Sequence, residues 1–167
     1  MRRPLLRYRR RMDLDALLRQ AIVLADRARA GGDHPFGALL ADPDGRIVLE
    51  AGNTVGTTRD VTGHAETNLV SAATRRFSSA ELPGMTLVTS CEPCAMCSGA
   101  IYWSTIGAVV YGLSEKRLLA ITGDAPENPT LDLPCRTVLG AGQRRISVTG
   151  PLLEDEAAAS HAGFWRP

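Results

Sequence analysis

The chain is predicted to be an α/β protein of three αβα layers, with a mixed five-stranded sheet that opens as an antiparallel hairpin and continues as mostly parallel strands. Three observations predict this. Apolar residues recur at helical spacing between Leu14 and Ala28. The tetrapeptide Asp42-Pro43-Asp44-Gly45, a strong turn signal, separates two short apolar runs. Beyond them helical and strand-like segments alternate, and a helix between two strands is what a parallel crossover requires.

Each element has a local reason. Asp13 is placed to cap a first helix whose apolar positions Leu14, Leu17, Leu18, Ala21, Ile22, Ala25 and Ala28 share a face until Gly31-Gly32 ends it. His34-Pro35 leads into a strand over residues 36–41, and residues 47–51 form its partner across the turn. Residues 52–63 are polar and glycine-bearing, the kind of loop that carries binding groups beside a rigid sheet. Ala65, Leu69, Val70, Ala72, Ala73 and Phe77 suit a buried second helix ending near Ser78-Ser79. A third strand over 86–89, a third helix over 94–104 and a fourth strand over 108–111 follow. Further on, 114–121 reads as a short helix, 122–134 with three prolines as a loop, 146–148 as a last strand and 153–162 as a final helix before Gly163-Phe164-Trp165. There is no internal repeat, and residues 13–167 are expected to form a single domain.

Composition narrows the class. Hydrophobic content of 44% with 22% charged residues is ordinary for a globular protein, and no apolar run approaches the ~20 residues of a membrane helix. The net charge of +1 conceals an uneven distribution: six of the 19 basic residues are arginines before Met12, leaving 13 against 18 acidic residues in the rest, a net of −5. An acidic body argues against broad nucleic-acid binding. The basic residues 1–12 read as a disordered extension, with a transit peptide or a phosphate-binding arm as alternatives. With no signal-like apolar segment after them, the expected location is the cytoplasm. Three of the four cysteines fall within seven residues, a distribution that favours a metal over a disulfide framework.

The chemistry concentrates at two helix mouths. Cys94 and Cys97, three apart, lie on one side of a helix's first turn, where free N–H groups and the helix dipole favour thiolate. His64-Ala65-Glu66 stands at the mouth of the preceding helix, and ligands collect at such strand-to-helix edges. One imidazole and two thiolates leave a tetrahedral zinc one open position, the pattern of a catalytic site. Zinc would bring the pKa of a water there to about 7. Glu66 is close enough to exchange that water's proton without being a ligand. A redox pair or a structural zinc corner would also use Cys-x-x-Cys. A ferredoxin-like run through Cys91, Cys94 and Cys97 would need a cysteine where Ile101 stands. Cys91 is expected at a strand end as a non-ligand, and Cys135 as a buried small hydrophobe.

Over residues 14–112 the chain resembles the cytidine deaminase-like superfamily, whose zinc signature H-x-E…P-C-x-x-C is matched by His64-Ala65-Glu66 and Pro93-Cys94-Ala95-Met96-Cys97. His34-Pro35-Phe36-Gly37-Ala38, Asn53 and the stretch SCEPCAMCSGAIYW look like the bacterial zinc-dependent guanine deaminase branch. The tRNA adenosine deaminase branch shares Asn53 and the metal motifs. It differs at Phe36, Cys91 and Tyr102-Trp103, and in having basic residues where this chain carries Glu154-Asp155-Glu156. The resemblance implies a cytidine deaminase-like fold, one zinc per subunit on His64, Cys94 and Cys97, Glu66 as proton shuttle, and a homodimer. It implies a base held by Asn53 and Ala65, with Phe36 and Trp103 as walls of the pocket or as plain core. A further carboxylate, Glu115 or Asp124, and a closing C-terminal segment with Phe164 and Trp165 complete the expected site. The leading expectation is guanine to xanthine plus ammonia. Deamination of adenosine or cytidine in tRNA or nucleosides is one alternative, and cytosine, isoguanine, pterin or triazine rings are another.

Overall fold

The computed structural model describes residues 12–165. The basic extension expected at the N-terminus lies, through Arg11, outside the described residues. Helix α1 (Leu14–Ala30) starts where Asp13 accepts the N–H of Ala16 at 3.0 Å, and it buries Leu17, Leu18, Ala21, Ile22, Leu24 and Ala25. Strands β1 (Gly37–Ala41) and β2 (Ile47–Gly52) form the hairpin. At its turn Asp42 Oδ1 accepts the N–H groups of Asp44 and Arg46, both at 2.9 Å, and Gly45 takes φ 81°, a left-handed conformation that glycine enters without penalty. β1 begins one residue later than expected. Phe36 stands just outside the ladder, its carbonyl accepting the N–H of Asn53 at 3.0 Å.

A single turn, α2 (Val55–Thr58), and then α3 (Ala65–Arg76) lead to β3 (Thr86–Cys91). From there α4 (Ala95–Ser104) crosses to β4 (Ala108–Leu113), and α5 (Glu115–Thr122), α6 (Cys135–Gly140), β5 (Ser147–Thr149) and α7 (Glu154–Ala159) complete the chain. The strand order is β2-β1-β3-β4-β5, with β1 antiparallel to both neighbours and β3, β4 and β5 parallel. Because helices cover both faces, the inner strands are largely apolar rather than alternating, and β1 and β3 are buried at every residue. Leu40, Leu87 and Val109 pack with residues of α3, α4 and α6, whereas Leu39, Val88 and Val110 pack with α1 and α7. These are the two cores of a three-layer sandwich.

Further details differ from the sequence-based expectation. α2 is a polar turn held from outside: Asp33 Oδ1 accepts the N–H of Thr57 at 2.8 Å and Oδ2 its hydroxyl at 2.9 Å. α6 follows directly on the proline-rich loop and is too short to show a period. α3 stops at Arg76 and leaves Ala72 exposed. α7 starts one residue late, because Leu153 sits at φ 50° in the left-handed region, and it ends at Ala159 rather than residue 162.

Candidate functional site

His64 is the N-cap of α3 and Cys94 the N-cap of α4, so the metal motifs open adjacent helices at one edge of the sheet. Their extended φ/ψ turns each side chain back across the helix mouth, and Cys97 enters from the first turn of α4. His64 Nδ1 lies 3.6 Å from Cys94 Sγ and 3.5 Å from Cys97 Sγ, and the sulfurs are 3.6 Å apart. Around a tetrahedral zinc with ordinary Zn–N and Zn–S bonds, two ligand atoms are about 3.5–3.8 Å apart. The triangle therefore fits three corners of such a site, and His64, Cys94 and Cys97 form the one group of three metal-capable side chains among the described residues. The contact with Cys97, opposed by burial and aided by His64, lowers Cys94 to about 4, and the same contact together with burial pushes Cys97 up. The contact with Cys94 also raises His64, against the effect of burial.

Glu66 is 4% exposed at the start of α3. Its Oε1 accepts the hydroxyl of Thr89 at 2.8 Å, and its Oε2 is 3.5 Å from Cys97 Sγ. Burial, and then the negative charge at Cys94, raise its pKa. Glu115, at the first turn of α5, is also buried, and that burial together with the neighbouring charges of Cys94, Glu92 and Glu66 pushes it up to about 7.

These groups border a small cavity of about 40 Å³ closed by Phe36, Leu118 and Asn128, with His64, Glu66, Cys94 and Glu115 on its inner wall. It shares Phe36, His64, Cys94, Glu115 and Asn128 with an outer chamber of about 360 Å³, rimmed by Val61, Met96 and Leu131. A larger groove of about 530 Å³ along Arg136, Arg144 and Arg145 touches none of these residues.

The expected pocket residues divide. Phe36 and Glu115 line both chambers. Asn53 is 2% exposed and lines neither chamber; its Oδ1 accepts the N–H of Val55 at 3.0 Å, while its Nδ2 is buried without a partner. Ala65 is packed into the core beside Leu69 and lines neither chamber. Trp103 must be corrected: it projects from the far end of α4, 81% exposed, and is neither pocket wall nor core. Asp124 is exposed on the loop and lines neither chamber, which leaves Glu115 as the candidate second carboxylate. Phe164 and Trp165 fold back on their own chain, with ring centroids 6.0 and 5.2 Å from His34, and Trp165 is 6.1 Å from Phe36. Thr89, Glu92, Leu118 and Asn128 were not singled out from the sequence. The one signal available was a pair of polar residues, Thr89-Ser90, near the end of a largely apolar strand.

A family model described as the cytidine and deoxycytidylate deaminase zinc-binding region matches residues 12–113. The chain is 45% identical over 150 residues to a probable cytosine deaminase of Schizosaccharomyces pombe, covering 90% of this chain and 91% of that protein. It is 42% identical over 101 residues to the guanine deaminase of Bacillus subtilis, which is 60% of this chain and 64% of that protein. Among solved structures, the guanine deaminase from Nitrosomonas europaea superposes with a TM-score of 0.76 at 30% identity, over 90% of this chain and 83% of the other.

Proposed function

Because the chain belongs to the cytidine and deoxycytidylate deaminase zinc-binding family, we propose that it hydrolyses the exocyclic amine of a free nucleobase, releasing ammonia, with cytosine to uracil as the first assignment. Zinc held by His64, Cys94 and Cys97 supplies a Lewis acid that makes water nucleophilic at neutral pH. Glu66 moves the proton. Its Oε1 is engaged by Thr89, so Oε2 is the oxygen that takes a proton from the attacking water and returns it to the departing amine nitrogen. The contact of Oε2 with the Cys97 thiol lapses once that thiol is deprotonated for the metal. The raised pKa of buried Glu66 suits a group that must hold the proton between those two events.

Glu115 reads the ring edge with a carboxyl poised between accepting and donating, and Asn53, which lines neither chamber, offers its unpartnered Nδ2 donor to a ring seated more deeply. Phe36 supplies a flat wall. The observation that carries the free-base reading is the relative that spans nearly the whole chain, a probable cytosine deaminase; beside the metal corner, Phe36, Leu118 and Asn128 leave about 40 Å³, room for the edge of a flat ring.

Cytosine comes first because the relative that spans nearly the whole chain is a probable cytosine deaminase, and because Trp103, one ground for expecting guanine, lies outside the pocket. Guanine to xanthine is the second reading, favoured by the likeness to the Nitrosomonas europaea enzyme and by an outer chamber able to take a second ring. Assays of ammonia release from cytosine, guanine, their nucleosides and tRNA test the proposal. Release from a free base is expected, and turnover confined to nucleosides or tRNA would overturn it.

We further read the protein as one deaminase domain over residues 13–167 that works as a cytoplasmic homodimer. Met96, Gly99, Ala100 and Trp103 line up at helical spacing on the outer face of α4, an apolar stripe that a second copy would cover. Among the described residues no helix is long and apolar enough to cross a membrane.

A further inference from the structure

One buried carboxylate at the site has no part in the chemistry above. Glu92 lies between Cys91 and Pro93 and is buried beside the metal corner. Its N–H donates to the carbonyl of Leu113 at 2.7 Å, joining the ends of β3 and β4. Its two oxygens then diverge: Oε2 accepts the N–H of Glu115 at 3.0 Å, and Oε1 the N–H of Cys135, also at 3.0 Å. Those are the first residues of α5 and α6. The buried carboxylate is thus held by two charge-assisted bonds, each from an N–H group that has no partner within its own helix.

The two amides are the roots of a single segment. Between them run α5 and the loop over residues 123–134, and that segment brings Glu115, Leu118 and Asn128 to the inner cavity. Bonding both roots to one side chain closes the segment at its base, removing freedom that a bound ring would otherwise have to quench. The same strand end presents Cys94 two residues later. We propose that Glu92 is a positioning residue that sets the substrate-recognising wall, Glu115 with Asn128, in register with the metal corner. Its kinetic consequence rests on the nucleobase deaminase reading; its anchoring does not.

Glu92→Gln tests it, because the amide keeps the shape and one acceptor but turns an NH₂ toward the second N–H. In zinc-loaded protein, hydrogen exchange should quicken about tenfold or more over residues 115–118 and 124–138, with β3, α4 and the zinc content unchanged. With the base that the wild type turns over, KM should rise about tenfold with kcat within about threefold. In a Glu115→Gln background the same change should cost less than about threefold in kcat/KM, since it acts partly through Glu115. Unaltered exchange over these residues, or losses that multiply independently in the double variant, would overturn the proposal. If Glu92→Gln does not fold, Glu92→Asp, which keeps the charge one methylene short, carries the same comparison. If the wild type turns over no base, the deaminase reading fails by itself, and the exchange pattern still decides the anchoring.

Discussion

Thr89 donates its hydroxyl to Glu66 from the neighbouring strand, which makes it the side chain that orients the proposed proton carrier. Thr89→Val keeps the shape and removes the donor, so it should lower kcat by about tenfold with zinc content unchanged, as steady-state kinetics and metal analysis on one sample will show. His161 offers a second residue-scale test. It is 1% exposed, stacked on Trp165 and 5.2 Å from the Phe36 ring, with Nδ1 accepting from Trp165 Nε1 and Nε2 buried without a partner. Burial, and then the charge of Arg29, opposed by Asp26, lower its pKa from 6.5 to about 4. Between those values the unfolded chain binds the proton and the folded chain does not, so this contribution to stability is full above about pH 6.5 and is lost as pH falls toward 4. In urea unfolding the wild type should lose about 2 kcal/mol more than His161→Phe between pH 7 and pH 5, a difference that isolates His161 because the raised Glu115 acts in the opposite sense in both proteins. At this scale His64, Cys94 and Cys97 were legible because each motif spans at most four residues at a helix mouth and matches a known zinc signature. Thr89 and Glu92 were not, because their partners lie 23 to 43 residues away and leave no local spacing.

At the scale of elements, the site depends on how closely α1 approaches the hairpin. A Cβ on Gly37 would stand 2.4 Å from Ala21 O and Ala25 N, backbone atoms that a side-chain shift cannot clear. Gly37→Ala should therefore cost at least about 1–3 kcal/mol by chemical denaturation, whereas alanine at Gly99, which meets nothing within 4 Å, should be tolerated by the monomer. All five strands and the long helices could be read from apolar runs and turn residues. α2 and α6 could not, since their few residues carry no period and tertiary bonds to Asp33 and Glu92 hold them. The acidic residues of α7 pair within the chain: Glu156 with Arg19, and Asp155 with Arg117, at 2.9 and 2.6 Å. Composition showed their sign and not their partners.

For the whole molecule, the fold brings two helix mouths to one edge of the sheet and leaves the outer face of α4 bare. Trp103→Glu should convert a dimer to a monomer in sedimentation at micromolar concentration. An unchanged mass would contradict the pairing face. The metal triangle, the sheet and the family were all foreshadowed by spacing, whereas the cavity wall of Glu115, Leu118 and Asn128 is placed by tertiary contacts that leave no local pattern. The account stands or falls on Glu66 as the proton carrier beside a zinc held by three side chains. Its most direct test is ammonia released per zinc-loaded subunit by Glu66→Gln, measured beside the wild type on the preferred base. The account predicts equal zinc in both proteins and a loss of about 10²–10⁴ in kcat for the variant. Near-normal turnover by a fully zinc-loaded Glu66→Gln would contradict it.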